Sequence, residues 1–258
     1  MNHSSAAFIS DLHLHAATPK TLAAFELFCL QQAPQFAAFY VLGDLFEAYI
    51  GDDDLTEPIN QRIVQVLRKL SDSGTVVYFM HGNRDFLVGQ AFANASGTTL
   101  LPDPVIHCIA GLKLLISHGD NWCTDDVEYQ QFRLQSRAAA WRTEFLSKPL
   151  EQRRELARNM RAQSEAAKKE KSAQIMDVNL YAVLQAADAA QVNIVLHGHT
   201  HRSAMHQHAR INHSPVAPND SRPALNRIVL SDWDFESVAP RGNALVIDAA
   251  GPRFIEIQ

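Results

Sequence analysis

The chain has 258 residues, 47% of them hydrophobic and 20% charged, with a formal net charge of −5. That is enough chain for one large α/β domain over residues 1–258 with a well-buried core. The acidic balance argues against a general nucleic-acid binder, and no protein partner is predicted. Three cysteines, Cys29, Cys108 and Cys123, make an odd count without paired spacing, which suits a reducing cytoplasm. Residues 1–7 lack the basic start and apolar centre of a secretion signal, and no apolar run approaches the ~20 residues that span a bilayer. The expectation is a soluble cytoplasmic protein.

Along the chain, residues 8–10 read as a strand that runs into Asp11, Leu12 and His13. Thr18 and Pro19 open a predicted helix to about Gln32, with Leu22, Phe25, Leu27 and Phe28 as its apolar stripe. A second strand, residues 39–42, runs into Gly43 and Asp44, and a helix is predicted from about Glu57 to Leu70. The strand at 76–80 runs into His81, Gly82, Asn83, Arg84 and Asp85, followed by a short predicted helix over 87–94. Residues 114–117 lead to His118, Gly119 and Asp120, and residues 192–196 lead to His197, Gly198, His199, Thr200 and His201. Strands at 227–230 and 244–247 and a terminal hairpin through 253–257 complete the pattern, a layered α/β fold.

Residues 127–176 interrupt this alternation. They lack Gly, hold one Pro (Pro149) and carry eleven Lys/Arg against six Asp/Glu, a local +5 inside a chain of −5. Two or three helices broken near Pro149 are predicted, with Trp141, Phe145, Leu146, Leu150, Leu156 and Met160 as apolar faces. Such an insertion is either a solvated decoration or a lid over a site. Residues 206–226, with His206, His208, His213 and three prolines, read as a surface loop rather than a second metal site, because no carboxylate organises the histidines.

Five apolar runs thus end in hard-metal donors, and ligands past the ends of several strands converge on one rim of a sheet. Each motif alone is ordinary turn chemistry; five in this order are not. Asp11, His13, Asp44, Asn83, His118, His197 and His199 form an oxygen/nitrogen set without thiolate, suited to Mn, Fe, Zn or Ni. Seven ligands fit two metals if Asp44 bridges. Two such ions, about 3.5–4 Å apart, polarise a phosphoryl oxygen and generate hydroxide at neutral pH, the chemistry of phosphoester or phosphoanhydride hydrolysis. His81 and His201 are placed one register away from the ligand positions, and His3, His15 and His107 are read as structural or surface residues.

In order, these five blocks resemble the signature of the calcineurin-like metallophosphoesterases. The stretches 40–47, 50–54, 81–87, 123–126 and 175–179 resemble, more narrowly, the UDP-2,3-diacylglucosamine hydrolases of the lipid A pathway in Gram-negative bacteria. The resemblance implies a two-sheet β-sandwich flanked by helices, with 127–176 as a helical cap that accommodates acyl chains. It implies one metal on Asp11, His13, Asp44 and His199 and another on Asp44, Asn83, His118 and His197, manganese being the expected ion. The implied substrate is UDP-2,3-diacylglucosamine, contacted by Asn83, Arg84, Asp126, Ser164, Lys168, Lys171 and His197. Arg84 stands where many relatives carry a His that protonates the leaving group. A guanidinium stabilises developing charge instead, which favours pyrophosphate cleavage, with Arg84 and Asp44 as catalytic residues. A diacylated substrate implies peripheral contact with the anionic cytoplasmic face of the inner membrane. The rival readings are another metal-dependent phosphoesterase, which Arg84 and the basic insertion disfavour, and a non-catalytic scaffold, which would tend to have lost ligands.

Overall fold

The computed structural model describes residues 1–170, 175, 177–210 and 223–257, with the side chains of 167–170 outside the description. Twelve strands are described: β1 (Asn2–His3), β2 (Ala6–Ile9), β3 (Ala38–Leu42), β4 (Val76–Met80), β5 (Thr98–Leu101), β6 (Val105–Ile109), β7 (Leu112–Ile116), β8 (Ile194–His197), β9 (Ala204–His208), β10 (Leu225–Val229), β11 (Asn243–Asp248) and β12 (Gly251–Glu256). Seven helices accompany them: α1 (Pro19–Leu27), α2 (Pro58–Asp72), α3 (Gln90–Ser96), α4 (Val127–Arg137), α5 (Ala139–Leu146), α6 (Leu150–Glu170) and α7 (Leu180–Ala190).

The strands form two six-stranded sheets, ordered β12-β11-β2-β3-β4-β5 and β1-β6-β7-β8-β10-β9. In the first, β2 through β5 run parallel; in the second, β7, β8 and β10 do. Parallel strands covered on both faces should be apolar throughout, and β2 and β3 are buried at every position. Side chains alternate between faces. Phe8, Tyr40, Leu42 and Met80 therefore point between the sheets, against Leu114, Ile116, Leu196 and Ile228. Ile9, Phe39, Val41 and Phe79 point the other way, against Phe25, Phe28, Ile63 and Leu67 of the helical layer. Val183, Leu184 and Ala187 of α7 cover the outer face of the second sheet over Leu115 and Val195. The two-sheet sandwich flanked by helices predicted above is the fold found.

Several local expectations shift. The first helix turns into a π-helical stretch over Phe28–Gln32, ending where predicted. The helix predicted over 87–94 begins only at Gln90, because Asp52 caps it from another loop. Its carboxylate accepts from the N–H groups of Gly89 (2.9 Å), Ala91 (2.8 Å) and Phe92 (3.1 Å). Strands β1, β5, β6 and β9 and helix α7 add to the predicted elements, and β9 corrects the loop reading for residues 206–208, while 211–222 lie outside the described residues. His206 and His208 belong to an edge strand paired with β10, their rings stacked at 5.8 Å. His213 lies outside the described residues. His107 is buried, where its Nδ1 meets the hydroxyl of Tyr40 at 2.7 Å.

The insertion folds as three helices, broken at Ala138 and again at 147–149. Its arginines are occupied in holding it down. Arg153, 2% exposed, donates to the carbonyls of Ile50 (2.6 Å) and Lys148 (2.9 Å) and grips the Asp53 carboxylate. Arg154 pairs with Asp54 at 2.6 Å. Arg133 (2.9 Å) and Arg137 (3.3 Å) converge on the buried carboxylate of Asp120, which also accepts from Tyr129 at 2.5 Å. The apolar faces of α5 and α6 join the main helical-layer core through Trp141, Phe145, Leu150, Leu156 and Met160.

Candidate active site

The motif residues meet at the C-terminal ends of β2, β3, β4, β7 and β8. Left-handed backbone at non-glycine residues is uncommon and collects at functional sites. Of the seven described non-glycine residues with positive φ, five are Asp11, His13, Asp44, His199 and His201. Glycine lets these loops close on one another. A Cβ on Gly43 would collide with the backbone of Gly82, and one on Gly82 would collide with the Asp44 carboxylate. Asp85 ties the same two loops, its carboxylate accepting from the N–H groups of Gly82 and Leu45, both at 2.8 Å. Burial and the neighbouring Asp44 carboxylate raise the pKa of Asp85 to about 7.

Two groups of donors result: Asp11 with His13 and His201, and Asp44 with His118 and His199. Within the first, the Nε2 of His201 lies 3.4 Å from Asp11 Oδ1 and 3.4 Å from the Nε2 of His13. His118 hydrogen-bonds through Nδ1 to the Leu42 carbonyl at 2.8 Å, so its Nε2 faces Asn83 Oδ1 at 3.2 Å. Asp44 Oδ2 is 3.9 Å from the Nε2 of His13 and 3.9 Å from the Nε2 of His118, between the two groups.

His197 lies in neither group. Its Nδ1 faces the Gly198 carbonyl at 2.8 Å and its Nε2 faces Arg227 at 3.3 Å. His201 stands in a donor group instead, contrary to the register expected for it. The reason is local: β8 ends at His197, and left-handed φ at His199 and His201 turns both rings inward.

Do these residues fit divalent cations? The donors are oxygens and nitrogens only. Asp11 Oδ1 and His13 Nδ1 are buried without a hydrogen-bond partner among the described residues, a costly arrangement unless something else satisfies them. Burial alone would lower the pKa of His118, yet the carboxylates of Asp44, Asp11 and Asp120 push it up to about 9. Burial holds His197 and His199 down, at about 3 and about 4, in the neutral form that ligates metals. The site is a dense negative field, strong enough to favour a cation on His118, with His199 neutral beside it, and it fits.

A cavity of about 530 Å³ opens over these groups. Its lining combines His13, Asp44, Asn83, Arg84 and His199 with Ile50, Phe86, Trp141, Phe145 and Met160. Arg84 reaches it with its side chain 10% exposed, its Nη2 3.5 Å from Glu165 of α6. Ser164 and Asp126 also line it, and Asp126 caps α4 through the Tyr129 N–H at 3.1 Å. Lys168 lies in α6 with its side chain outside the described residues, as is all of Lys171. Glu47, Tyr129 and Arg161 line the cavity as well and were not singled out from the sequence. For Arg161, the i, i+3 spacing to Ser164 on one helix face was the available signal.

A family model described as calcineurin-like phosphoesterase matches residues 5–203. The chain belongs to that family. The phosphoesterase is 45% identical over 229 residues to the UDP-2,3-diacylglucosamine hydrolase of Escherichia coli O7:K1, covering 89% of this chain and 91% of that protein. The protein of that name from Chromohalobacter salexigens is 44% identical over 225 residues, 87% of each chain. The one from Cellvibrio japonicus is 42% identical over 229 residues, covering 89% and 91%. Among solved structures, an archaeal phosphodiesterase aligns over 98% of this phosphoesterase and 99% of its own chain, with 12% identity and a TM-score of 0.45. The phosphoesterase is a metal-dependent hydrolase.

Proposed function

We infer that this phosphoesterase hydrolyses the pyrophosphate bond of UDP-2,3-diacylglucosamine, consuming one water and releasing UMP and 2,3-diacylglucosamine 1-phosphate (lipid X), a step of lipid A biosynthesis. The observation that carries the reading is the cavity, whose lining combines metal donors and Arg84 with aromatic and aliphatic side chains. A substrate that joins a pyrophosphate to acyl chains has both kinds of surface. The names of the relatives at 42–45% identity support the same assignment.

Two divalent ions, manganese by preference, would be held by Asp11, His13, Asp44, Asn83, His118, His197 and His199, with His201 beside the first group. When bound, they supply Lewis acidity toward phosphoryl oxygens and make hydroxide available at neutral pH. Asp44 belongs to both ion sites and keeps them in fixed register. Arg84 meets the charge that develops on the departing phosphate, which its fork of N–H groups suits better than an acid would. Asn83 lines the cavity and orients the phosphate; His197, a contact that the resemblance implies, is buried with its Nε2 toward Arg227. Asp126 and Ser164 hold the sugar, with Lys168 and Lys171 as further contacts. The insertion acts as a cap, its Trp141, Phe145 and Met160 excluding water and receiving the acyl chains.

No described helix is long and apolar enough to cross a membrane. Leu134 and Val127 of α4 are 73% and 61% exposed, and they support peripheral contact of this cap with the anionic inner membrane. UMP release from UDP-2,3-diacylglucosamine by metal-stripped protein, with and without added Mn²⁺, tests the reaction. Metal-dependent release supports it. Equal rates on simple phosphodiesters would point to a broader phosphoesterase.

A further inference from the structure

Glu47 stands between the donor histidine His13 and the cap. One carboxylate oxygen, Oε2, is 3.1 Å from the Nδ1 of His13. The other, Oε1, is ion-paired with Arg161 of α6. The His13 contact is close but not aligned as a hydrogen bond, so that buried Nδ1 has no hydrogen-bond partner. The opposite nitrogen, Nε2, faces Asp11's group and Asp44. The ring therefore presents one nitrogen to the metal donors and the other to a carboxylate. Histidines that ligate metals take this arrangement, the outer partner fixing tautomer and ring orientation. Arg161 lies within α6, about two turns beyond the anchor Arg153, and also approaches Glu165 at 3.4 Å.

We propose that Glu47 is a positioning residue that orients His13 for metal and, through Arg161, ties the metal centre to the cap. The inference uses the metal reading of the site but not the identity of the substrate. With a cation on its Nε2 side, the imidazole settles with Nδ1–H donating to Glu47. That fixes the carboxylate, and the fixed carboxylate holds Arg161. Metal loading then stiffens α6 before any substrate arrives. Arg161 Nη1, which makes no aligned hydrogen bond, lies 3.4 Å from Glu165, so two carboxylates hold the guanidinium.

The test measures metal binding and amide exchange on the full-length protein. Wild type, Glu47→Ala, Glu47→Gln and Arg161→Ala are stripped and titrated with Mn²⁺ against a chelator, and with Co²⁺ followed by visible absorption. Glu47→Ala should bind the weaker ion about 10–100-fold less tightly and change the Co²⁺ spectrum. Glu47→Gln keeps an acceptor for His13 and should recover most of that affinity. Arg161→Ala should bind metal like wild type. Amide exchange in α6 should slow on adding Mn²⁺ to the wild type, and should not respond in Glu47→Ala, Glu47→Gln or Arg161→Ala. Wild-type affinity and spectrum in Glu47→Ala would overturn the role toward His13. Exchange in wild-type α6 that ignores metal would overturn the tie to the cap. If Glu47→Ala does not fold, Glu47→Gln and Arg161→Ala still decide the second point, and the Co²⁺ spectrum of Glu47→Leu, which also lacks an acceptor for His13, decides the first. None of these readouts uses substrate, so a protein that releases no UMP would refute the proposed reaction without touching this inference.

Discussion

The backbone N–H of Arg84 donates to Oδ1 of Asp44 at 2.8 Å. That bond ties the loop carrying the phosphate-directed arginine to the carboxylate proposed to serve both ions. It also leaves Oδ2 of Asp44 toward His13 and His118, equidistant at 3.9 Å. The loop is thereby held to the donors by main chain, so the guanidinium can be removed by mutation without releasing the loop.

Asp44→Ala should lower bound metal from two ions per chain toward one or none and abolish turnover, because Asp44 Oδ2 stands equidistant from His13 and His118 of the two groups. Elemental analysis of the purified variant checks this. Two retained ions per chain would remove Asp44 from the bridging position.

Arg84→Ala should leave metal content near two per chain, since its backbone bond to Asp44 survives. Turnover should fall roughly 10²–10³-fold, as expected for one lost charge contact in the transition state. Steady-state kinetics beside elemental analysis separates the two effects.

Arg153→Ala should loosen the cap. Arg153 satisfies the carbonyls of Ile50 and Lys148 together with Asp53, and each buried acceptor left without its donor costs about 1–3 kcal/mol. Amide exchange in α6 should accelerate while exchange in β2 and β3 stays slow. Uniform protection would mean that the apolar contacts of Trp141, Phe145 and Met160 suffice to hold the cap.

Burial, with the nearby N-terminal charge and His3, lowers the His107 pKa from 6.5 to about 4. The unfolded chain takes up a proton there below pH ~6.5 that the folded chain refuses until about pH 4. Its contribution to stability is therefore complete above pH ~6.5 and is lost as the pH falls toward 4, on the order of 2–3 kcal/mol. Urea melts at pH 7 and pH 5 should show a smaller difference for His107→Gln than for wild type. An unchanged difference would assign the pH dependence elsewhere.

Most of the scaffold of the site was legible in the sequence because the relevant signals are local. A β-branched or aromatic run marks a strand, and glycine within two residues marks its sharp exit in four of the five runs that precede the expected donors. The insertion was legible for the same reason, glycine-free helical sequence broken at Pro149. What escaped depends on distant partners. The start of α3 is set by Asp52, and the orientation of His197 by Arg227, 30 residues further on. The inward turn of His201 follows from backbone φ, which a His-X-His-X-His run does not reveal. Strand β9 has no apolar alternation to announce it, since Met205 is 47% exposed and two of its five residues are histidines. The net charge of 127–176 misled in one respect. Arg133, Arg137, Arg153, Arg154 and Arg161 are paired with carboxylates or carbonyls of the body, so the insertion's charge serves attachment before any membrane. Trp141 and Phe145 likewise line the cavity rather than face outward.

The account rests on one cavity reading both the pyrophosphate and the acyl chains, and the most direct measurement compares kcat/KM for UDP-2,3-diacylglucosamine with that for the same nucleotide sugar lacking acyl chains. Burying a methylene is worth about 0.8 kcal/mol, so even four seated against the apolar lining predict a preference above roughly a hundredfold, and Trp141→Ala should narrow it without changing metal content. Equal kcat/KM for the two compounds would contradict the account.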